Sequence, residues 1–537
     1  MAKSKVSIKD FESKEGQLVK LDQSRFLPLP PPYDKLELEP KFNELAPEKK
    51  ERLECDLDGV TAFKFPRPET EEEKQELVEK FLAGLQKLFQ KENNWTFLQP
   101  LFLTMEYCVK CQTCASACPI FNESGQEEIY RPTFRSDIMR RLYKKYVKSG
   151  GKIFAKLSGN DINASWTMVA RLMELCYRCT ICRRCAQTCP IGADNGLVTR
   201  ELRKIFSQEM GITVTPLHEK GSMQQLKVGS STGMSTVAYL DNIEFLEEEV
   251  EERAGMKFKW PMDKEGADIL LIHNAGEFLA WPENPEAFAI ILEAAGINYT
   301  LSSEAIGYDS VNYGTWYDDM QFARVALRHV EVAKKLGVKK IVIAECGHAH
   351  KALTVIADRV LTGDFNIPRE SSMTLLRDII KSGRLKLDPS RNDDITVTLH
   401  DPCNMVRLMG IVQPQRDVLK AVCNNFREMT PHGVENYCCG GGSGFAITQD
   451  LNFPDWRQIV SGRAKLRQIL DVFQDIIEPE HKKYVCAPCS NCKGAMRDMF
   501  AAYGLFDRCN ILYGGLVELI VNAMPEIEEP FLEWDWR

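Results

Sequence analysis

Between Leu77 and Tyr146 the apolar residues recur at helical spacing: Leu77, Phe81, Leu85 and Leu88 share one face, as do Ile138, Leu142 and Tyr146. The pattern predicts an all-helical region over residues 76–215. Ahead of it, residues 1–75 have no such period, and Leu27-Pro28-Leu29-Pro30-Pro31-Pro32-Tyr33 with mixed charge clusters favours an extended, polyproline-like arm. The arm reads equally well as a loose tail or as a strap folding onto another subunit. Residues 216–262, with Gly229-Ser230-Ser231-Thr232-Gly233 and an acidic run from Glu244 to Glu252, read as a linker.

From residue 263 onward, short β-branched runs alternate with helical segments. Ile269–Ile272, Ile341–Ile343, Ile395–Leu399 and Lys483–Val485 predict buried parallel strands of α/β units. Ile272-His273-Asn274-Ala275-Gly276 parallels Leu399-His400-Asp401-Pro402-Cys403, and Ala344-Glu345-Cys346 parallels Ala487-Pro488-Cys489 after a strand. The expected fold is therefore α + α/β: a helical module, then one α/β domain in two copies, residues 263–390 and 391–537.

Length and composition narrow this only slightly. The 537 residues allow several domains, and a net charge of −8 argues against nucleic acid as the main partner. The opening segment Met1 to Glu15 has no apolar leader core, and no apolar run is long enough to span a membrane. These features lead us to expect a cytoplasmic chain that reaches a membrane only through a partner.

The 19 cysteines carry the chemistry. Cys108, Cys111, Cys114 and Cys118-Pro119 repeat as Cys179, Cys182, Cys185 and Cys189-Pro190, each the spacing of bacterial-type ferredoxins. In such pairs the fourth thiolate serves the other cluster, which predicts two crossed [4Fe-4S] sets: Cys108, Cys111, Cys114 with Cys189, and Cys179, Cys182, Cys185 with Cys118. Zinc also takes four thiolates, but its sites usually draw on two separated pairs. Cys176, one turn ahead of Cys179, reads as a packed thiol. Arg171, Arg178, Arg183, Arg184, Arg200 and Arg203 crowd the second run, as a solvated face, a docking patch for an acidic electron-transfer partner or a device raising the cluster potential.

A third set lies further on: Cys403, the adjacent Cys438-Cys439, Gly440-Gly441-Gly442-Ser443-Gly444, and Cys486, Cys489 and Cys492. Two neighbouring thiols reach one centre only where the backbone bends sharply, and glycines permit the bend and bring main-chain N–H groups close to sulfur. This set resembles the cysteine-rich CCG domain of heterodisulfide reductase catalytic subunits, and the resemblance extends to the helical two-cluster module before it. It implies a noncubane [4Fe-4S] cluster on Cys403, Cys438, Cys439, Cys489 and Cys492, with Gly440, Gly441 and Gly442 beside it, at which a disulfide or trisulfide is reduced or formed. The first copy has Val311-Asn312-Tyr313-Gly314 where a Cys pair would stand, so one such cluster is implied, not two.

Two departures keep alternatives open. The interval from Cys439 to Cys489 is longer than the family's usual spacing, and Cys486 offers a competing thiol. Cys346 either faces the cluster from the first copy or is an inert buried thiol, and His400, next to matched cysteines like His348 and His350, is either a proton donor or structural. Within the family, the arm and the single site look most like DsrK-type subunits, which implies a membrane haem b subunit (DsrM-like) and a small sulfur carrier (DsrC-like) as partners in dissimilatory sulfur metabolism. The alternatives are an iron–sulfur subunit of quinone-linked glycerol-3-phosphate or lactate oxidation, or a non-catalytic electron-transfer scaffold. Cys55, Cys423 and Cys509 read as ordinary thiols.

Overall fold

A computed structural model describes residues 6–43, 45–48, 57–60, 64–94, 96–159, 161–255, 257–445, 453–528 and 531–532; Cys55 lies outside them. The chain forms two compact units. One comprises Met1–Val214, Trp316–Asp319 and Tyr437–Arg467, the other Thr215–Thr315, Met320–Asn436 and Gln468–Arg537. The Cys438-Cys439 segment, expected inside the last domain, thus belongs to the same unit as the ferredoxin-type motifs.

The first unit is helical. Glu71–Leu88 begins on a reciprocal cap, the Thr70 hydroxyl accepting from the Glu73 amide at 3.2 Å, and buries Val78, Phe81, Leu85 and Leu88. Pro132–Leu142 opens on its proline, Trp166–Cys176 is capped by Ser165, and Asn195–Lys204 is capped by Asp194. The arm is fastened to these helices. Phe11, on the short helix Ile8–Ser13, meets Phe134 at 5.4 Å between ring centres. Arg171 donates to the carbonyls of Asp10, Phe11, Lys14 and Gly16. Arg463 grips Glu39, and Asn43 holds Asp455. The described arm is therefore a strap on its own chain.

Apart from Arg183, whose side chain is one-third exposed, the arginine crowd is likewise not a solvated face. Arg171, Arg178, Arg200 and Arg203 are all 2 % exposed or less, each with partners inside this unit. Arg178 makes a two-pronged contact of 2.8 and 2.9 Å with Asp58, which also accepts from the Tyr130 hydroxyl. Burial works against charge on Asp58, but Arg178 and Tyr130 outweigh it and hold the carboxyl below its ordinary range.

The second unit holds two four-stranded sheets. The first is built from β1 (Ile269–Ile272), β2 (Tyr299–Thr300), β3 (Lys340–Ile343) and β4 (Arg369–Ser371) in the order β2-β1-β3-β4. The second, from β5 (Ile395–Leu399), β6 (Phe426–Arg427), β7 (Lys482–Cys486) and β8 (Ile511–Gly514), has the order β6-β5-β7-β8. Every pairing is parallel, with Leu399 opposite Cys486 at the carboxyl end of the β5–β7 pair. In each sheet the chain steps from its inner strand to one side and then to the other. Such a reversal opens a crevice at the carboxyl ends of the two inner strands. One apolar core joins both halves: Leu271 and Val342 from the first sheet, Val397 and Leu512 from the second, and Leu292 and Val521 from helices between.

Residues 216–262 are not the expected linker. Thr236–Ala254 is a 19-residue helix whose Tyr239, Ile243, Leu246 and Val250 enter that core. All of its acidic residues but the buried Glu247 lie outside the core-facing stripe and hide it. Among the described residues no helix is long and apolar enough to cross a membrane.

Two outcomes test these interior charges. Asp58→Ala leaves a buried guanidinium without its carboxylate and should cost about 3–5 kcal/mol in denaturant unfolding, whereas replacing both partners by apolar residues should cost less. In the second unit, burial raises Glu286 to about 8, against the pull of Arg253, and raises Glu283 to about 7. Both folded values lie above the unfolded one of about 4.3, so their contribution to stability is complete below that pH and lost as pH rises towards 8. Thermal melting across that window should show the decline, and Glu286→Gln should flatten it.

Candidate metal centres

The two ferredoxin-type motifs fold alike. Lys110 and Gln112 adopt left-handed backbone angles, φ 58° and 69°, and the matching Ile181 and Arg183 do so at 50° and 61°. Left-handed turns at non-glycine residues are uncommon, and here they coil each loop so that its three thiols face one point. Cys108, Cys111 and Cys114 line a small cavity together with Cys189. Cys118 senses the charges of Cys179 and Cys182, and Cys185 senses that of Cys118. Cys189 thus lies with the first motif and Cys118 with the second.

These thiols suit a cation and little else. Burial, then the neighbouring cysteines, push Cys114 up to about 11, and burial pushes Cys118 up to about 12. Four such groups become thiolates together only around a positive centre, and eight thiols in two sets match two [4Fe-4S] clusters. The surroundings of the two sets differ. Cys111 is exposed, while the second set has the buried Arg135 with its guanidinium 3.2 Å from the Cys179 sulfur. Arg135 stands on Pro132–Leu142, remote from the motif in sequence, and no local pattern marks it.

The Cys-Cys-Gly segment belongs to the same unit. The amides of Gly440 and Gly441 point at the sulfurs of Cys438 and Cys439, each at 3.4 Å. Gly440 has φ +88°, and a side chain there would come within 2.6 Å of the Gly462 amide. At Gly442 a side chain would meet the Thr180 carbonyl at 2.6 Å, so the glycine loop lies directly on the loop of the second ferredoxin motif. Ser443 donates to the Cys179 carbonyl at 2.9 Å. Arg203 donates to the Ser443 carbonyl and to those of Cys176 and Cys179, at 3.2, 2.9 and 2.9 Å. Arg203 and Ser443 therefore clamp the Cys pair onto a cluster loop. The sequence marks Arg203 only as one of a basic crowd.

In the second unit the remaining thiols gather at the carboxyl ends of inner strands. Cys403 opens the helix Cys403–Leu408 after β5, and Cys489 and Cys492 flank the start of Ser490–Tyr503 after β7. The loop before Cys403 is fixed by Asp401, which takes a two-pronged contact from Arg416 at 2.8 and 2.7 Å. Ser490 donates its hydroxyl to Glu277 at 2.7 Å and its amide to the Glu345 carbonyl at 2.9 Å. Cys346 caps Gly347–His350 after β3, and a side chain at Gly347 would lie 3.1 Å from the Cys489 sulfur. The Cys346 thiol, pushed up to about 12 by burial and then by Cys489, also accepts from Asn274 at 3.4 Å.

His400 places a ring nitrogen within 4.8 Å of the Cys492 sulfur. His348 and His350 are instead held low by burial, to about 3 and about 4, and bond to Asn312 and Ser371. Cys486 sits in the apolar core, where burial, then Glu345 and Glu518, push its thiol up, and it does not join Cys489 and Cys492; the sequence expectation of a competing thiol is corrected by the alternation of β7.

Comparison with known proteins matches residues 104–193 to the 4Fe-4S dicluster domain and residues 397–497 to the cysteine-rich CCG domain. The chain is 26% identical over 515 residues to an Hdr-like menaquinol oxidoreductase iron-sulfur subunit 2 of Archaeoglobus fulgidus, covering 86% of this chain and 87% of the relative. Over 472 residues it is 26% identical to the Hdr-like menaquinol oxidoreductase iron-sulfur subunit of Archaeoglobus profundus, covering 78% and 79%. To a subunit of the dihydromethanophenazine:CoB–CoM heterodisulfide reductase of Methanosarcina acetivorans it is 24% identical over 403 residues, covering 74% and 89%.

The buried guanidinium beside Cys179 favours the reduced, more negative state of whatever that thiol holds. Arg135→Met should therefore lower the midpoint potential of one of two cluster signals in a redox titration followed by electron paramagnetic resonance, leaving the other in place.

Proposed function

We propose that this chain, which carries a CCG domain and is similar to Hdr-like menaquinol oxidoreductase iron–sulfur subunits and to a heterodisulfide reductase subunit, is the electron-transferring subunit of an Hdr-like oxidoreductase complex that cleaves or forms a sulfur–sulfur bond. Two cubane clusters occupy the crossed thiol sets. A noncubane [4Fe-4S] cluster, held by Cys438 and Cys439 with Cys403, Cys489 and Cys492, supplies an iron–sulfur site for two-electron disulfide chemistry.

The observation that carries this reading is the clamp of Arg203 and Ser443. It fixes the Cys438-Cys439 loop on the loop of Cys179, as a relay from cubane to reaction site requires. The amides of Gly440 and Gly441 offset negative charge on the two sulfurs. Cleaving one S–S bond consumes two electrons and two protons and yields two thiols. His400, near Cys492, is positioned to pass a proton to a departing sulfur. The like-ordered sheets we read as two copies of one α/β unit, of which the second keeps the cluster thiols and the first contributes Cys346 beside Cys489.

The relatives' names point to a quinol as electron source. We assign its delivery to a membrane haem b subunit of the DsrM kind, and the sulfur substrate to a small carrier protein of the DsrC kind, with the chain on the inner face of the membrane. Anaerobically purified protein should contain about twelve irons, four for each of three clusters. Cys439→Ser should abolish disulfide reduction while both cubane resonances persist. Unchanged turnover, or loss of a cubane signal instead, would refute the assignment.

A further inference from the structure

From Ile138 to Asn160 the chain carries seven Lys and Arg and no Asp or Glu, in a protein whose net charge is −8. Within this stretch lies the short helix Gly151–Leu157. Its inward side is Gly151 and Ala155, and Gly151 is obligatory because a side chain there would come within 2.2 Å of the Lys144 carbonyl. Its outward side is Ile153, Phe154 and Leu157, which are 69, 67 and 79 % exposed. Three large apolar residues projecting together are unusual on a water-facing surface. Among the described residues, Lys144, Lys152 and Lys156 have no carboxylate within ion-pair distance. Glu106, tied to Lys148 at 2.8 Å and to the Tyr143 hydroxyl at 2.7 Å, brings the neighbouring Tyr107 and Val109, 69 and 73 % exposed, close to this segment. Val109 lies inside the first cluster motif, next to Cys108.

We propose that this face binds directly to an anionic phospholipid surface, with Phe154, Leu157 and Ile153 entering the headgroup layer and the lysines meeting lipid phosphates. A ring of cations around an apolar tip is the arrangement by which short amphipathic helices lie in a membrane interface. The tip protrudes, so it suits a yielding lipid layer, and its unpaired cations select negatively charged headgroups. The proposal rests on charge and exposure alone and is independent of the redox reading.

Flotation of the purified full-length protein with phosphatidylcholine vesicles, with and without phosphatidylglycerol, tests it. Binding is expected only to the phosphatidylglycerol vesicles and should weaken as salt rises. Lys152→Gln and Lys156→Gln should each lower partitioning about fivefold, and Phe154→Ser with Leu157→Ser should abolish it. All variants should keep the iron content of the wild type, because the changed side chains are at the surface. Absence of binding to anionic vesicles at low salt, or binding indifferent to these substitutions, would overturn the proposal and leave the face to a protein partner.

Discussion

The buried guanidinium of Arg203 is the interaction on which the functional arrangement depends. It has no carboxylate partner in its hydrogen bonds; it spends its donors on main-chain carbonyls of Cys176, Cys179 and Ser443. Burial lowers its affinity for a proton, and the nearby Tyr177 and Cys179 act the other way. A cation in that position is tolerable in an interior only beside groups that carry or acquire negative charge. Thiolates around an iron–sulfur cluster are such groups, so a cluster held by the Cys179 set would stabilise the residue that positions the Cys438-Cys439 loop.

The same logic recurs through the first unit. Arg135 beside Cys179, Arg178 on Asp58, Arg171 on the carbonyls of the arm and Arg463 on Glu39 place positive charge inside an acidic protein. Arginine rather than lysine suits this task, since its rigid fork serves several acceptors at once and it never loses its proton.

How much of this is legible in the sequence follows from the kind of signal each feature leaves. Cysteine spacing yields three thiols of each set, which are local in sequence, while the crossed fourth comes from the bacterial-ferredoxin pattern. The inner strands Ile269–Ile272 and Ile395–Leu399 are readable at their observed bounds, since both faces are buried and the runs are rich in β-branched and apolar residues. The edge strands escape such a reading: Tyr299–Thr300 and Phe426–Arg427 have two residues each, and Arg369–Ser371 is polar. The Thr236–Ala254 helix reads as a linker because its carboxylates outnumber its core residues. Arg135 and Ser443 leave no trace, because what defines them is proximity across long stretches of chain.

The chain leaves and re-enters each unit repeatedly, with Tyr437–Arg467 and the four residues Trp316–Asp319 grouped with the N-terminal helices. Inheritance must follow that threading. A fragment ending at Val214 would keep all eight ferredoxin-type cysteines yet lose Ser443, which Arg203 holds, and Asp319, which pairs with Arg200 and Lys204, and with Ser443 the cover over one cluster loop. Such a piece is not a portable ferredoxin. Gene fusion or exchange at that boundary would break the first unit, two of whose three segments lie beyond it.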